Sequence, residues 1–382
     1  MCYAALQLRE ELRRFALDLR LEQGLDLGVR IGLNSGTVVV GKIGDDLRMD
    51  YTAQGHTVGL AQRMEQLAET GHVYVSEHTA RLVHGYFELG ELGAAKVAGS
   101  VEAVCVFDLL TVTGAHTRLQ VSRARGLTAF VGRDDEMDIL DKALERARRG
   151  HGQVVGVVGE AGLGKSRLCY EFVERCRAQG IAIYECHCPS YGTRIPFIPI
   201  LQLFRSYFRI SERNPAESAR QKIAGTLVLL DATLQESLPT LFEFLGLADP
   251  AGPAPRVEPE VRQRQLFNVL HKVVRAQSER GVVSVTLVDD LHWVDNWSDE
   301  FVTQMVEAAE YSRSLVLVNY RPEYHARWAG RGHCQQLPLV PLGAAALQAM
   351  VAALLGPDPS VAALTQGARA AQQIRNFGHP PR

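Results

Sequence analysis

The sequence predicts two α/β units in tandem, on three observations. Over residues 1–110, short apolar stretches alternate with segments of helical periodicity. Farther on, valine-rich stretches stop abruptly at a glycine-rich turn or a pair of acids, as strands buried on both faces of a parallel sheet do. Between the two units, residues 111–129 (TVTGAHTRLQVSRARGLT and the next residue) lose periodicity and carry three arginines, which predicts a linker.

The first unit opens with ALQLREELRRFALDLRLEQG. Leu6, Leu8, Leu12, Phe15 and Leu19 fall near helical spacing, and Gly24 closes the helix. LGVRIGLNSGTVVVGKIG then predicts two strands joined as a hairpin at Asn34-Ser35-Gly36. A helix from about Thr57 to Glu69, a strand HVYVS, a helix EHTARLVHGY and a last strand EAVCVFDLL follow. The second unit begins with GRDDEMDILDKALERARRG, a helix with acids in its first turn and arginines before Gly150, matching its macrodipole. GLADPAGPAPRVEPE reads as a mobile insertion or hinge.

Bulk properties exclude several classes. With 382 residues and 46% hydrophobic content the chain can bury two cores. A net charge of −2 gives no reason to expect nucleic acid or an anionic membrane as a partner. LGAAALQAMVAALLG falls short of the roughly 20 apolar residues that span a bilayer and contains Gln348. The start is charged by Arg9, unlike a signal peptide, so a cytoplasmic location is expected. Seven scattered cysteines predict reduced thiols. Cys186-His187-Cys188 lacks the second ligand pair that structural zinc needs, which favours buried small side chains at a strand end.

The strongest motif is Gly159-Glu160-Ala161-Gly162-Leu163-Gly164-Lys165-Ser166, a P-loop set between an apolar strand and a helix. Its glycines let backbone N–H groups close around phosphate oxygens, where a Cβ would intrude. Lys165 would place a point charge between the β- and γ-phosphates of ATP, and the Ser166 hydroxyl would ligate Mg²⁺. A second strand, Val282 to Val288, ends at Asp289-Asp290. Asp289 would hold the Mg²⁺, and Asp290 would orient or deprotonate the attacking water. The competing reading is an acidic loop after a core strand. A third strand, Leu315 to Val318, leads to Asn319, Tyr320 and Arg321. Arg321 would sense the γ-phosphate, or stand as an exposed arginine before the Pro322 turn.

These four ordered motifs, FVGR, GEAGLGKSRL, LVDDLHWVD and NYRPE, resemble the AAA-like signal-transduction ATPases of the STAND group over Phe130 to Leu342. The resemblance implies a three-layer α/β P-loop core over 130–342 followed by a helical lid. It places Phe130, Val131, Gly132 and Arg133 near adenine. Residues 343–382 would be a truncated lid or tail. LTQGARAAQQIRNFGHPPR lacks the GNPF-like motif expected there, which points to truncation or a shifted reading frame.

VRIGLNSGTVVVGKIG with DYTAQGHTVGLAQRMEQLAETGHVYVSEHTARLV resembles the C-terminal half of class III adenylate/guanylate cyclase domains, over residues 1–110. That implies a partial ferredoxin-like α/β fold and a dimer sharing its active site across the interface. The base-selecting position falls on Thr52. The position of a substrate-contacting Asn falls on Gly59, and that of a charge-stabilising Arg on Arg63. The two metal-binding aspartates would lie upstream of the first helix, so this half is expected to be non-catalytic alone. The leading expectation is an ATP-dependent signalling ATPase with a cyclase-like docking module and an unidentified signalling partner. The rivals are a nucleotide cyclase active with an intact partner and a non-hydrolysing ATP-dependent scaffold.

Overall fold

Gly24 ends the first helix in the left-handed region (φ 69°), its N–H bonded to the Arg20 carbonyl, as the sequence predicts. That helix, α1 (Cys2–Gln23), opens the computed structural model, which describes residues 1–43, 50–54, 56–95, 103–113, 117–124, 126–189, 196–211, 214–248 and 259–355. The chain divides into two compact units, Met1–Gly126 and Leu127–Arg382.

In the first unit, β1 (Ile31–Leu33), β2 (Val39–Ile43), β3 (Asp50–Gln54), α2 (His56–Leu67), β4 (Val73–Ser76), α3 (Glu77–Val83), β5 (Phe87–Ala95) and β6 (Val104–Val112) follow in order. The sheet order is β1-β4-β6-β5, with β2 and β3 as a separate antiparallel ribbon. The hairpin expected at Asn34-Ser35-Gly36 does not form: β1 pairs in parallel with β4, and β2 takes β3 instead. The turn residues bond to distant groups. Asn34 Nδ2 donates to the Thr57 carbonyl at 2.9 Å, Ser76 Oγ donates to Asn34 Oδ1, and Ser35 N–H donates to Thr79 Oγ1 at 2.8 Å. At Gly32 the backbone of α2 comes so close that a Cβ would lie 2.1 Å from the Glu65 nitrogen, so β1 is committed to that helix.

Strand β5 does not read as a strand because Gly90 and Gly93 interrupt its alternation. Its register against β6 shifts at Glu88/Leu89 and Glu91/Gly93, and Gly93 sits at φ 88°. The expected linker contains a helix, α4 (Arg118–Ala124). Thr117 and Gln120 form a reciprocal cap, each backbone N–H bonded to the other's side chain. Val121 is buried against Gly85, where a Cβ would meet it at 2.5 Å.

In the second unit α5 (Asp134–Arg148), β7 (Gln153–Val158), α6 (Lys165–Ala178) and β8 (Ala182–His187) lead into a helical segment. That segment holds α7 (Ile198–Phe208), α8 (Ala216–Leu230), α9 (Leu238–Phe244) and α10 (Pro259–Glu279). Residues 249–258, within the stretch expected to be a mobile insertion, lie outside the described residues. β9 (Ser284–Asp289), α11 (Asn296–Ala309), β10 (Ser314–Tyr320), β11 (Cys334–Pro338) and α12 (Ala344–Leu355) complete it.

All five strands are parallel, in the order β11-β7-β10-β9-β8. One face packs Val155, Val157, Leu287 and Leu317 against Leu140 and Phe172 of α5 and α6. The other packs Val154, Val288, Val316 and Val318 against α7, α8, α10 and α11. This is a three-layer α/β P-loop fold. Among the described residues no helix is long and apolar enough to cross a membrane.

Candidate functional site

A parallel sheet delivers every strand's carboxyl end to one edge, so loops from strands distant in sequence meet there. Register fixes which residues meet. Val318 of β10 stands opposite Val288 of β9 and Gly156 of β7, so Asn319, Asp289 and the turn after Val158 share one level.

The turn after β7 runs from Gly159 to the start of α6. Gly162 and Gly164 occupy the left-handed region (φ 84° and 90°), which an L-residue enters only with strain. At Gly159 a Cβ would meet the Leu339 carbonyl at 3.0 Å. Lys165 is buried, and its ammonium donates to the Gly159 and Glu160 carbonyls at 2.7 and 2.9 Å. Burial lowers its pKa, opposed by the nearby Asp290 carboxylate. Ser166 follows on the first turn of α6, partly exposed.

Asp289 ends β9, and Asp290 follows in the left-handed region at φ 58°. The fully buried Asn319 joins the two: its Nδ2 donates to Asp289 Oδ1, and its Oδ1 accepts the Asp290 N–H at 3.0 Å. Burial first and the Asp289 charge second push the Asp290 carboxyl up to about 6, against the pull of Lys165 and Arg321. Arg321 follows β10. Its guanidinium carbon lies 5.6 Å from the Trp293 ring centre, and its charge acts on Lys165, Asp290 and His292.

Ligand atoms of His187, Asp289 and Asp290 lie within 4.8 Å of one another. Carboxylate oxygens with a hydroxyl at a helix start suit Mg²⁺, whereas imidazole is a poor magnesium ligand. Asp289 thus carries the donor type such an ion takes, with His187 beside it, and Ser166 offers a hydroxyl at the start of α6. The sequence shows His187 only within Cys186-His187-Cys188 and Asn319 only at the head of NYRPE, because each reaches the cluster through strand pairing. The flanking Cys186 and Cys188 are buried, with thiol pKa values raised by burial, as inert core groups are.

A cavity of about 350 Å³ opens beside the turn, lined by Phe130, Val131, Arg133, Leu163, Leu347 and Met350 among others. Arg133 lies in its wall and spends its donors on the protein. It bonds Glu136 at 2.6 Å, the Leu163 carbonyl at 3.1 Å and the Val340 carbonyl at 2.8 Å, tying α5, the turn and the segment after β11 together. Gly132 (φ 68°) lets α12 approach, since a Cβ there would lie 2.2 Å from that of Ala346.

In the first unit Thr52 lies on β3 opposite Gly41, and Gly59 and Arg63 lie one turn apart on α2. Arg63 is partly exposed, with no ion pair among the described residues. A Cβ at Gly59 would meet nothing within 4 Å. The first unit brings together no counterpart of the acid pair among its described residues.

Residues 1–109 match the adenylate and guanylate cyclase catalytic domain, and residues 129–318 match the AAA ATPase domain. An uncharacterised protein of Rhizobium meliloti (strain 1021) is 23% identical over 332 residues, 83% of this chain and 30% of that protein. Adenylate cyclase 1 of the same organism is 30% identical over 125 residues, 32% of this chain and 19% of that one. The chain therefore spans less than a third of either relative. Among solved structures, the adenylyl cyclase CyaB from P. aeruginosa is 27% identical, with 29% of this chain and 57% of that one covered and a TM-score of 0.27. The chain thus carries, in tandem, a match to an adenylate/guanylate cyclase catalytic domain and a match to an AAA ATPase domain.

Proposed function

We propose that the second unit binds ATP with Mg²⁺ at Gly159–Ser166 and hydrolyses it, and that the bound state sets the arrangement of a signalling ATPase core spanning 130–342. The observation that supports this reading is the convergence of Lys165, Asp289, Asp290 and Arg321 at one end of a parallel sheet, beside an apolar cavity. The polyphosphate would draw the Lys165 ammonium off the Gly159 and Glu160 carbonyls, exchanging two neutral acceptors for anionic oxygens. Asp289 and Ser166 would hold the Mg²⁺, which neutralises charge on the phosphates. Asp290, with its carboxyl near 6, is matched to take a proton from water at neutral pH. Arg321 would stabilise the charge on the terminal phosphate. Leu347 and Met350 of α12 put the start of the 343–382 segment at the cavity, where a lid would cover the base.

The test is Lys165→Ala. Removing a charge-assisted contact of this kind weakens Mg·ATP binding by about a hundredfold or more, read by calorimetry on folded protein. Unchanged binding or turnover in that variant refutes the reading. Asp290→Asn separates a hydrolase from a scaffold that only binds nucleotide. In a hydrolase single-turnover cleavage drops by about 10²–10⁴-fold while binding persists.

In this reading the first unit is a docking or sensing module. A second reading, a cyclase active in a shared dimer site, is favoured by Arg63 having no ion pair among the described residues and by the similarity to Adenylate cyclase 1. Cyclic nucleotide formed only when an intact homologous domain is added, and lost in Arg63→Ala, supports it. No product in the mixture removes it.

A further inference from the structure

His292 lies on the turn Leu291–Trp293 directly after the acid pair, its side chain 8% exposed. Both ring nitrogens are buried, and neither has a hydrogen-bond partner among the described residues. The Asp290 carboxylate lies just out of reach, Oδ1 being 3.9 Å from Nδ1. On the side of the fold where it stands, the charges acting on the ring are Arg321, Lys165, Glu323 and Asp289. The Trp293 ring, which also carries the Arg321 guanidinium, lies 5.0 Å away centre to centre.

A buried imidazole with two idle nitrogens is costly to maintain, and folded proteins rarely leave such groups unpaired. A core position would serve better with a leucine. The orphaned ring therefore implies a bond made in another state of the site. That state is the nucleotide-bound one, because the groups around the ring are those that must move when phosphate arrives. Lys165 has to leave the loop carbonyls, and its charge and that of Arg321 act on the Asp290 carboxylate.

We infer that His292 is a positioning residue for Asp290: when Mg·ATP occupies the turn, Nδ1–H donates to the Asp290 carboxylate and holds it toward the attacking water. The inference deepens the proposed hydrolysis and rests on it for its kinetic consequence. The hydrogen bond itself is observable without turnover. A closure of about 1 Å brings the pair to bonding distance. The bond fixes one carboxylate oxygen so that the other faces water.

Asparagine and glutamine separate the two nitrogens, because the Asn amide N–H falls near Nδ1 and the Gln amide near Nε2. In His292→Ala, kcat should fall by about tenfold or more, with KM for ATP within about twofold. His292→Asn should recover most of that loss and His292→Gln little of it. Thermal melts of all three variants identify any that fail to fold. The independent arm is ¹⁵N-histidine NMR with Mg²⁺ and adenylyl imidodiphosphate, His292 being assigned by its absence in His292→Gln. A slowly exchanging, downfield-shifted Nδ1–H should emerge on binding and be missing in Asp290→Ala. Nucleotide binding without that signal overturns the inference even if ATP is hydrolysed. The signal without hydrolysis sustains the contact and overturns the hydrolytic reading, and absence of nucleotide binding overturns both.

Discussion

Gly164 and Gly59 each stand within a turn of a cation that the sequence singles out, yet the backbone needs only one of them. Gly164 lies at φ 90°, just before Lys165, in a turn closed by strand ends from β7, β9 and β10. Gly59 sits in ordinary helix one turn before Arg63, with empty space where a Cβ would point. At Gly164 the conformation requires a glycine, and the shape of the turn depends on it. A glycine that conformation does not require marks a position from which a side chain can be dropped without structural consequence. The two units thus differ at these glycines: the second holds a turn whose shape depends on one, and the first holds a helix that does not.

The sharpest way to break that comparison is Gly164→Ala. The left-handed backbone costs an alanine about 1–2 kcal/mol, and the turn can relieve it only by opening. Mg·ATP affinity is expected to fall by at least about tenfold, measured by calorimetry. Native affinity in this variant would show that the turn's shape is not what the ligand reads.

Asn319→Ala probes the level below. Asn319 receives the Asp290 N–H and donates to Asp289, so its removal leaves buried groups unpaired at a cost of about 1–3 kcal/mol. Urea unfolding should show that loss, with single-turnover hydrolysis reduced as well because both acids lose their anchor. A stability change below about 0.5 kcal/mol would mean that water replaces the amide without loss.

Asn319 also marks the limit of what the sequence discloses. The P-loop, the acid pair and the apolar strands are legible because each is a local pattern with a local physical cause. Asn319 and His187 become part of the cluster only through the pairing of β10 with β9 and of β8 with β9, which no single segment encodes. Edge strand β11 is hidden for a related reason: Gln335 and Gln336 are exposed, so CQQLP carries almost no apolar signal. β5 is disguised by its bulges. α4 carries a capping-box signal in Thr117 and Gln120, but at seven residues it is too short to show the periodicity whose loss reads as a linker.

Asp290 ties the comparison to pH. Its carboxyl is raised from 3.8 to about 6 in the fold, so the folded chain holds a proton that the unfolded chain has already released. The fold is therefore unpenalised below about pH 4 and loses stability as pH rises through 6. Without nucleotide, Asp290→Asn should match the original protein near pH 4. By pH 7 it should exceed it by about 1 kcal/mol, discounted because the group is partly exposed. Parallel melting curves across that range would refute the claim that this acid is held at a cost to the fold.

The smallest effect is expected at Gly59→Asn. Asparagine is a slightly better helix residue than glycine, and nothing within 4 Å obstructs it, so stability should rise by no more than a few tenths of a kcal/mol. That near-silence is the informative outcome. If Gly59 were needed for close approach of another part of the chain, the side chain would force α2 off β1, to which it is tightly joined at Gly32, and the loss would exceed 1 kcal/mol. A silent substitution therefore shows that this position on α2 is free to carry a substrate-contacting amide. A marked loss would make Gly59 a packing residue like Gly32, and the contrast with Gly164 would then lie between two structural glycines.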